Sequence, residues 1–492
     1  MPTSSPREEI PDVPAGDAAQ VNYQQARLAH WDSVARRMDV RTGWGGAYHR
    51  RLIQVYQSLV APGQCVIEIG CAQGDLLAAL KPAVGVGVDF SSEMVRRAER
   101  RHPHLHFMQA DAHSLHLDEK FDVIVLSDLI NDLWDVQTVL QQVARLATGR
   151  TRLIINSYSR LWELPLALAE RLGLANPTLY QNWLTVEDIY NLLVLADFEV
   201  IRSWQEVLLP LPIPLLGPLC NRILVKAWPF RYLGLTNFVV ARPIRRCSER
   251  WAGQPLVSVV VPARNEAGNI SQVFERVPPM GQGVELVFVE GHSQDGTYGV
   301  IEQAIADHSE RRCRLLRQTG VGKGDAVRLG LAQASGDVLV VLDADLTVQP
   351  ENLPRFYEAL CSGRGEFING VRLVYPMEAE AMRFANLVGN KFFSLAFSWL
   401  LGQPVKDTLC GTKVLWKRDY ERIAANRAYL SDFDPFGDFD LLFGAARLNL
   451  KILDLPIRYR QRMYGTTNIQ RWRHGWLLLK MVLFAAGRIK FV

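Results

Sequence analysis

Short runs of β-branched and other apolar residues alternate with stretches of helical periodicity along most of the 492-residue chain. A first series predicts six strands, at residues 65–69, 84–89, 104–108, 121–126, 152–156 and 198–202. A second series predicts five more, at residues 257–261, 285–289, 313–317, 338–342 and 366–371. Strands separated by helices are typical of a parallel sheet with both faces covered. The pattern therefore predicts an α/β protein with two such sheets.

The length favours at least two domains, because a single core rarely grows beyond about 250–300 residues. Residues 1–20 contain four prolines and almost no large apolar side chain, which predicts a disordered leader. Residues 207–246 interrupt the alternation with six prolines, six basic residues and no acidic one. We predict four further segments: a first domain over 21–246, a linker over 247–254, a second domain over 255–470 and a basic amphipathic helix over 471–492.

Composition changes this picture little. Apolar residues make up 48% of the chain and charged residues 22%, and the formal charge of +4 is too small to indicate a nucleic-acid partner. Seven cysteines without a C-x-x-C pair, and without a secretory leader, indicate reduced thiols and a cytoplasmic location. No window reaches the roughly 18 uncharged apolar residues that a spanning helix needs.

A glycine-bearing turn follows the first predicted strand, at residues 68–74. Glycine lets the backbone turn tightly and approach a ligand, and the next helix offers free N–H groups at its start. Asp89 lies 19 residues after Gly70 at the end of the next strand, where a carboxylate can accept both ribose hydroxyls. Asp111, after the third strand, is placed to meet an adenine edge. The turn and the two acids predict a site for an adenosyl group.

The pattern consists of five residues in this order: Glu68, Gly70, Gly74, Asp89 and Asp111. With them, the segment over about residues 44–202 resembles class I S-adenosylmethionine-dependent methyltransferases. The resemblance implies a Rossmann-like fold with S-adenosylmethionine bound by these five residues. Ala72 departs from the family pattern, since many members have glycine there.

The residues do not identify the methyl acceptor. Methyl transfer from a sulfonium depends mainly on positioning, so the sequence need not show a strong base. If the acceptor is a hydroxyl, four side chains at predicted strand ends could deprotonate it: His113, His116, Asp128 and Asp132. A nucleotide-binding domain without methyl transfer is the alternative.

Three loops at predicted strand ends carry the chemistry of the second half. Residues 262–266 and 290–297 each follow an apolar strand, and a glycine-rich loop contains Lys323. The strand at 338–342 leads directly into Asp343 and Asp345. Alternate residues on an extended stretch can bring two carboxylates near one hard cation, and oxygen ligands favour Mg²⁺ or Mn²⁺. The loops predict a metal-assisted site for a sugar nucleotide.

In this order the motifs resemble family-2 glycosyltransferases with a GT-A fold, over about residues 256–469, and among them the polyprenyl-phosphate sugar transferases. The resemblance implies that four residues hold the nucleoside: Pro262, Ala263, Glu266 and Glu290. It implies that Lys323 lies by the nucleotide, and that Asp343 and Asp345 bind ribose, metal and diphosphate. Gly291 departs from the family, since members usually carry a second acid there.

Later motifs of the same family concern the acceptor. Asp407 and Lys413 belong to a segment that matches its acceptor-side motif, and Arg462 to one that matches its late basic motif. Asn468 stands where a phosphate-directed lysine is often found, which weakens the implied lipid-phosphate acceptor.

The family resemblance also implies a catalytic carboxylate. If the acceptor is a hydroxyl, Asp438 is the implied base and Asp440 the second candidate. If the acceptor is a phosphate, which is already ionised, Asp438 would instead orient it.

The chain ends in a basic segment. Residues 455–492 contain eight basic residues and no acidic one, with Trp472 and Trp476 beside arginines. Aromatic and basic residues that flank a short apolar helix favour an element lying in the headgroup plane of an anionic membrane. A helix packed on the domain is the alternative. The family resemblance implies a second interfacial helix near residues 392–401.

Together, these features predict a bifunctional enzyme attached peripherally to the inner face of the cell membrane. One domain would transfer a sugar, with inversion, from a nucleotide-sugar donor to a lipid-linked (polyprenyl-phosphate) or glycan acceptor. The other would methylate a related acceptor at a hydroxyl. Two alternatives stay open: a front half that binds S-adenosylmethionine or docks without catalysis, and a soluble glycan-extending transferase.

Overall fold

The computed structural model describes most of the chain: residues 15–37, 44–171, 179, 181–244, 254–372, 374, 384–427, 437–460, 464 and 471–491. The chain divides into two compact units. The first consists of Met1–Gln57, Pro62–Val200 and Trp204–Pro243, and the second of Ser58–Ala61, Ile201–Ser203 and Ile244–Val492. A seven-stranded sheet forms the centre of each unit.

The sheet of the first unit is mostly parallel. Its strands are β1 (Cys65–Ile69), β2 (Val84–Asp89), β3 (His106–Gln109), β4 (Val123–Ser127), β5 (Arg152–Tyr158), β6 (Phe198–Glu206) and β7 (Thr236–Pro243). They are ordered β3-β2-β1-β4-β5-β7-β6. The strands from β3 to β5 run parallel, and β7 is antiparallel to β5. Because helices cover the faces, β1 and β4 are almost entirely buried and read as continuous apolar runs.

In the described part of this unit the helices are α1 (Ala15–Arg37), α2 (Trp44–Leu59), α3 (Asp75–Ala79), α4 (Ser92–Arg101), α5 (Val136–Arg145), α6 (Glu163–Arg171), α7 (Val186–Leu195) and the single turn α8 (Leu216–Pro218). Side chains satisfy the free N–H groups at three of their starts. Ser91 accepts a hydrogen bond from the Met94 amide, Asp135 accepts one from Thr138, and Thr185 forms a capping box.

Two features of this unit differ from the predictions. α1 begins at Ala15, so it includes residues 15–20 of the predicted leader, because no proline after Pro14 interrupts the helix. The proline-rich stretch 207–246 contributes a strand to the sheet as well as the end of the domain. This strand, β7, lies between β5 and β6. The prolines before residue 230 hid the apolar run of this strand.

The second unit repeats the arrangement. Its strands are β8 (Val257–Ala263), β9 (Val284–Glu290), β10 (Arg312–Arg317), β11 (Val338–Val341), β12 (Phe367–Val371), β13 (Lys413–Trp416) and β14 (Ile452–Pro456). Their order is β10-β9-β8-β11-β13-β12-β14, and β13 is antiparallel to both neighbours. The predictions included β8 to β12 but not β13 or β14. The two-sheet α/β class is confirmed.

The helices of the second unit are α9 (Ile270–Arg276), α10 (Thr297–Asp307), α11 (Lys323–Gln333), α12 (Leu353–Cys361), α13 (Phe384–Leu401), α14 (Lys417–Ala425), α15 (Asp438–Arg447) and α16 (Arg471–Ala485). Phe397 of α13 and Met481 of α16 are buried in one core with Phe439 of α15. The predicted basic C-terminal helix is therefore packed on its domain along one face. Over the described ranges, none of the helices is both long and apolar enough to cross a membrane.

Candidate active sites

A cavity of about 770 Å³ lies at the carboxyl ends of β1, β2 and β4 in the first unit. Glu68, Gly70, Asp89 and Asp111 all line it, so the structure brings together four of the five predicted cofactor residues. Its volume lies within the range of about 300–1,000 Å³ that is usual for ligand pockets, and it has room for an adenosyl cofactor.

The two predicted glycines shape the turn that closes the cavity. Both have left-handed backbones, with φ of 78° at Gly70 and 75° at Gly74. A Cβ atom on Gly70 would lie 2.9 Å from Leu129 Cδ1, and one on Gly74 would lie 2.6 Å from Phe107 Cζ. Gly74 is not among the lining residues. It acts by letting β3 pack against the turn.

Asp89 ties two backbone segments together at the end of β2. Its Oδ2 accepts a hydrogen bond from the Ala72 amide at 2.9 Å, and its Oδ1 accepts one from the Ser91 amide at the same distance. Burial raises the pKa of Asp89, and these two amides only partly offset the effect. A carboxylate has about four lone-pair sites, so both oxygens retain capacity for ribose hydroxyls.

Asp111 is held by side chains from two directions. Its Oδ1 accepts hydrogen bonds from the amide and Nδ1 of His113, at 2.9 and 2.7 Å, and its Oδ2 accepts one from Gln24 Nε2 at 2.7 Å. The His113 hydrogen bond lowers the pKa of Asp111. His113 Nε2 accepts from the Asp135 amide at 3.2 Å. Since both ring nitrogens are engaged, His113 orients Asp111 and is not placed to act as a base.

Two of the other candidate bases line the cavity. Asp128 Oδ1 accepts hydrogen bonds from the Tyr48 hydroxyl at 2.9 Å and from Asn156 Nδ2 at 2.6 Å. Burial and then the charge of Asp128 raise the pKa of Tyr48, so its phenol stays protonated and donates. Asp132 Oδ2 accepts from Trp31 Nε1 at 3.0 Å, and burial raises its pKa. His116 is exposed and does not line the cavity.

No role in this site was predicted for α1. Gln24, Arg27 and Trp31 line the cavity, and two of them bond its carboxylates. The helix shows no apolar stripe that would indicate a packed face, so periodicity gave no signal. Its aromatic residues, Tyr23 and Trp31, were the available hint, since both are unusual on an otherwise polar helix.

In the second unit, hydrogen bonds lock together the loops after β8 and β9. The Asn265 amide donates to Ser293 Oγ at 3.0 Å, and Asn265 Oδ1 accepts from the Gln294 amide at 2.8 Å. Asp295 Oδ2 accepts from the Ala267 amide at 3.3 Å. Asn265 has a left-handed backbone with φ of 57°. The two loops therefore form one fixed edge at the carboxyl ends of their strands.

The four predicted nucleoside residues lie on this edge. Ala263 is directly opposite Glu290 in the β8–β9 register, and Pro262 precedes it. Glu266 is buried, with Oε2 accepting from Asn269 Nδ2 at 2.7 Å. Glu290 is also buried, and its Oε1 accepts from the backbone amide of the third residue after it at 2.5 Å.

Three separate motifs meet at Asp343. Lys323 Nζ lies 2.7 Å from Asp343 Oδ1. Burial opposes ionisation of Asp343, but the charge and hydrogen bond of Lys323 outweigh it and hold the pKa below its ordinary value. On the other side, a Cβ atom on Gly411 would lie only 2.0 Å from Asp343 Oδ2. The absence of a side chain at Gly411 makes room for the carboxylate.

Asp345 completes the predicted carboxylate pair. Its Oδ1 accepts from the amide and hydroxyl of Thr347, at 3.1 and 2.9 Å. No group of three or more histidine, cysteine or acidic side chains suited to a metal occurs in the described part of the chain. Mg²⁺ is commonly held by one or two carboxylates together with substrate phosphates and water. Joint binding of a cation by Asp343, Asp345 and a diphosphate stays a prediction.

The acceptor-side residues Asp407 and Lys413 are buried. Arg372 forms a two-pronged ion pair with Asp407, at 2.7 and 2.9 Å, and Lys413 Nζ donates to Asn369 Oδ1 at 2.8 Å. They brace the loop that contains Gly411, and their contact with an acceptor stays a prediction. The third predicted acceptor residue, at position 462, lies outside the described residues.

The candidate base region begins at α15. Asp438 is the first residue of this helix, but its side chain lies outside the described residues. A Cβ atom on Gly437 would lie 2.8 Å from the Cα of Gly324, so α15 starts beside the start of α11. Asp440 is buried, and its Oδ2 accepts from Arg427 Nε at 2.8 Å. A basic role for Asp438 or Asp440 stays a prediction.

Comparison with known proteins matches each half of the chain to a family. Residues 61–197 match a model described as a methyltransferase domain, and residues 258–423 match glycosyl transferase family 2. A dolichol-phosphate mannosyltransferase of Pyrococcus furiosus is 36% identical, over 46% of this chain and 64% of that protein. An undecaprenyl-phosphate 4-deoxy-4-formamido-L-arabinose transferase of Aeromonas hydrophila is 33% identical, over 22% and 34%. The chain thus spans less than two thirds of either relative.

Solved structures with similarity to this chain include methyltransferases. A putative methyltransferase in complex with the Haloferax volcanii Trm112 activator has a TM-score of 0.35 and 20% identity, covering 44% of this chain and 98% of that one. Magnesium protoporphyrin IX methyltransferase from Synechocystis has a TM-score of 0.32 and 18% identity, covering 46% and 99%. Similarity at this level supports no statement about function.

Proposed function

We propose that this chain, in which a methyltransferase domain precedes a family-2 glycosyltransferase domain as the sequence predicted, is a bifunctional enzyme. It would transfer a sugar from a nucleotide donor to a polyprenyl-phosphate acceptor and methylate a related acceptor. One observation carries the proposal: within each domain, motifs that are far apart in sequence come together at a single site. Lys323 and Gly411 meet at Asp343, and Asp89 and Asp111 line one cavity.

The sugar donor would lie along the carboxyl ends of β8, β9 and β11. Glu266 and Glu290 would contact the nucleoside, and Lys323 supplies a cation beside Asp343. Mg²⁺ or Mn²⁺ held by Asp343 and Asp345 would neutralise charge on the departing diphosphate. Attack on the anomeric carbon from the opposite face would invert its configuration.

The pairing of Asp440 on α15 supports a phosphate acceptor over a hydroxyl acceptor. Asp440 is already paired with Arg427, which disfavours proton abstraction by this group. A polyprenyl phosphate is ionised before it reacts and needs no base. The relatives named above act on dolichol phosphate or undecaprenyl phosphate, and this supports the same acceptor class here. With a glycan hydroxyl instead, Asp438 would be required as the base.

The methyl site contains a carboxylate that could serve a hydroxyl acceptor. S-adenosylmethionine, held by Glu68, Asp89 and Asp111, would supply an electrophilic methyl group. Asp128 lines the cavity and is fixed by Tyr48 and Asn156. We assign it the role of orienting the acceptor hydroxyl and taking its proton.

The surface of α13 and α16 supports a peripheral position on a membrane, which we propose to be the inner face of the cell membrane. Phe392, Trp399 and Trp476 are exposed there, on helices whose other faces are buried. Lys480 lies 5.6 Å from the centre of the Trp476 ring, and Lys490 lies 5.3 Å from that of Trp399. Exposed aromatic rings beside lysines suit an anionic headgroup layer.

The test is a product assay on the full-length protein. We expect a glycolipid, identified by mass spectrometry, when undecaprenyl phosphate and Mg²⁺ are combined with a panel of UDP- and GDP-sugars. Sugar transfer to soluble glycans but not to the lipid would instead favour a glycan-extending enzyme. Labelled S-adenosylmethionine tests the other domain. Binding of adenosylhomocysteine without methyl transfer to the glycolipid, its precursors or the glycans would favour a non-catalytic front module.

A further inference from the structure

The first unit displays a second apolar surface, far in sequence from α13 and α16. It consists of the segment between β6 and β7 together with α6 and the turn before it. We call the following exposed residues the apolar rim: Leu161, Leu164, Leu168, Leu215, Leu219, Ile223, Trp228, Phe230 and Leu233. Leu215, Leu164 and Trp228 are 88%, 81% and 75% exposed. Exposure of this many large apolar side chains marks an interaction site in a soluble domain.

The β6–β7 part of the rim is a folded element with its own buried anchors. Asn221 accepts from the Leu209 amide at 2.8 Å and donates to the Leu209 carbonyl at 2.7 Å. Lys226 forms a buried ion pair with Glu206, which Arg51 also contacts at 3.0 Å. These contacts hold the backbone in place while the leucines and Trp228 point outward.

Hydrogen bonds join the two parts of the rim into one surface. Trp162 Nε1, just before α6, donates to the Leu233 carbonyl at 2.8 Å. The Ser159 amide donates to the Leu235 carbonyl at the same distance. α6 itself has no buried residue, so its leucines are not used in the core.

The charges beside the rim are mainly positive. Arg222 and Arg231 are exposed within it, and residues 207–246 contain no acidic side chain. On α6, Leu164 and Leu168 are one turn apart and share a face, whereas Glu163 and Glu170 lie on another. The surface therefore combines apolar and basic groups and suits a partner that is apolar and anionic.

The rim lies at the sheet edge that carries the cofactor cavity. α6 follows the carboxyl end of β5, which runs parallel to β4 and, through it, to β1. The cavity opens at the carboxyl ends of β1, β2 and β4. A flat partner bound to the rim would therefore face the edge from which a methyl acceptor enters.

We propose that the apolar rim docks the methyltransferase domain on an anionic lipid bilayer, and that its methyl acceptor is held in that membrane. The statement about the acceptor rests on the proposed methyltransferase function. The docking of the rim on a bilayer does not depend on that function. A second copy of the chain is a poorer occupant, because a two-fold interface would cover Arg222 and Arg231 of both copies and residues 207–246 offer no acidic side chain to pair with them. Anionic headgroups neutralise the same arginines, and the acyl region accepts the leucines and Trp228.

The first experiment measures where Trp228 sits. The full-length protein is mixed with phosphatidylglycerol vesicles that contain brominated lipid, and the fluorescence lost on quenching is compared between the native chain and Trp228→Phe. We expect Trp228 to contribute part of the quenched emission, since bromine in the acyl region quenches only indoles that enter it. Vesicle binding without any quenching of Trp228 would overturn the docking proposal.

The second experiment compares vesicle binding of two matched double variants. Leu215→Glu with Trp228→Glu should lower the partition coefficient about tenfold or more, because burial of two large side chains is replaced by two repelled charges. Val194→Glu with Leu195→Glu is the control. These residues are 59% and 60% exposed at the end of α7, just before β6 begins, at the opposite edge of the sheet. Equal loss of binding in both variants contradicts the assignment.

The urea unfolding midpoint reports the fold of each variant, whether or not the domain binds adenosylhomocysteine. If the Leu215–Trp228 variant fails this check, Leu164→Glu with Leu168→Glu replaces it, since both side chains lie on a helix without buried residues. A lipid-free dimer that dissociates on the same substitutions would assign the rim to self-association and reject the bilayer. Intact docking without methylation of lipid-held acceptors would reject only the acceptor class.

Discussion

Gly411→Ala would perturb the second site through a single methyl group. Gly411 lies in the loop between Asp407 and Lys413, and its backbone is not left-handed, so alanine introduces no backbone strain. The new Cβ would lie 2.0 Å from Asp343 Oδ2 and 2.6 Å from Oδ1. The substitution therefore acts on the carboxylate that Lys323 contacts and leaves the charges of the site unchanged.

The size of the effect follows from the displacement that the methyl group forces. Real Cβ atoms essentially never approach a neighbour within 3.0 Å, so the Asp343 carboxylate has to move by about 1 Å. That shift breaks the 2.7 Å contact with Lys323. A displacement of about 1 Å in a catalytic group can cost about 100-fold in rate. We expect kcat/KM for sugar transfer to fall by about that factor, or about 2.7 kcal/mol in the transition-state free energy.

The assay is steady-state sugar transfer, supported by calorimetric titration with the nucleoside diphosphate of the active donor in Mg²⁺. Gly299→Ala is the control, because nothing lies within 4 Å of the Cβ position on Gly299 and the residue is inside α10. We expect this variant to keep native kinetics. The reasoning is refuted if Gly411→Ala stays folded by urea titration and keeps kcat/KM within about twofold of native. Sugar transfer would then not depend on the position of the Asp343 carboxylate beside Gly411.

Three further predictions concern single side chains, and a fourth concerns the exposed face of α16. Asp89→Ala should abolish adenosylhomocysteine binding in a thermal-shift assay and leave nucleotide binding intact; unchanged affinity refutes the cofactor role. Asp345→Ala should reduce sugar transfer by several orders of magnitude and remove its dependence on Mg²⁺, and full activity in chelator refutes the metal role. Asp407→Asn should cost about 3–5 kcal/mol at pH 7 by urea titration, because it leaves a buried arginine unpaired. Burial opposes ionisation of Asp407, but Arg372 outweighs it and lowers the pKa of Asp407 below its ordinary value. The difference in free energy of unfolding between native protein and variant should therefore be complete above about pH 4 and shrink as the pH falls through the lowered pKa. Trp476→Glu with Leu483→Glu should weaken binding to anionic vesicles without the loss of core packing that truncation of α16 would cause, and native binding refutes a membrane role for this face.

The strands that carry the donor sites could be predicted because their signals are local. β1, β2, β8 and β9 are short, mainly apolar runs, and each is followed by a turn and a helix. Such a run is buried on both faces wherever it folds, so its neighbours need not be known. β7 was missed because its apolar run lies in a proline-rich stretch, and β13 because it is only four residues long and begins with Lys413.

Long-range contacts also explain the unexpected roles of single residues. Lys413 reads as a charge suited to an acceptor, yet it begins a central strand and is buried against Asn369. Gln24 belongs to a helix without an apolar stripe, yet it bonds Asp111 across 87 positions of sequence. In each case the deciding partner comes from another element, and no pattern within the helix or strand itself indicates it.

Both sheets share one topology around their sites, and this accounts for the difference between donor and acceptor predictions. In each sheet the chain builds three parallel strands outward and then crosses back, from β3 to β4 and from β10 to β11. Helices diverge at that reversal and leave a crevice at the carboxyl ends, where ligands of parallel sheets bind. The predicted donor residues lie at or shortly after strand ends near the reversal, so their spacing is fixed locally. Groups of α1 and α15 come instead from helices added around that crevice. Their chemistry follows from the folded structure, and the acceptor experiments are therefore the ones that discriminate between the proposed functions.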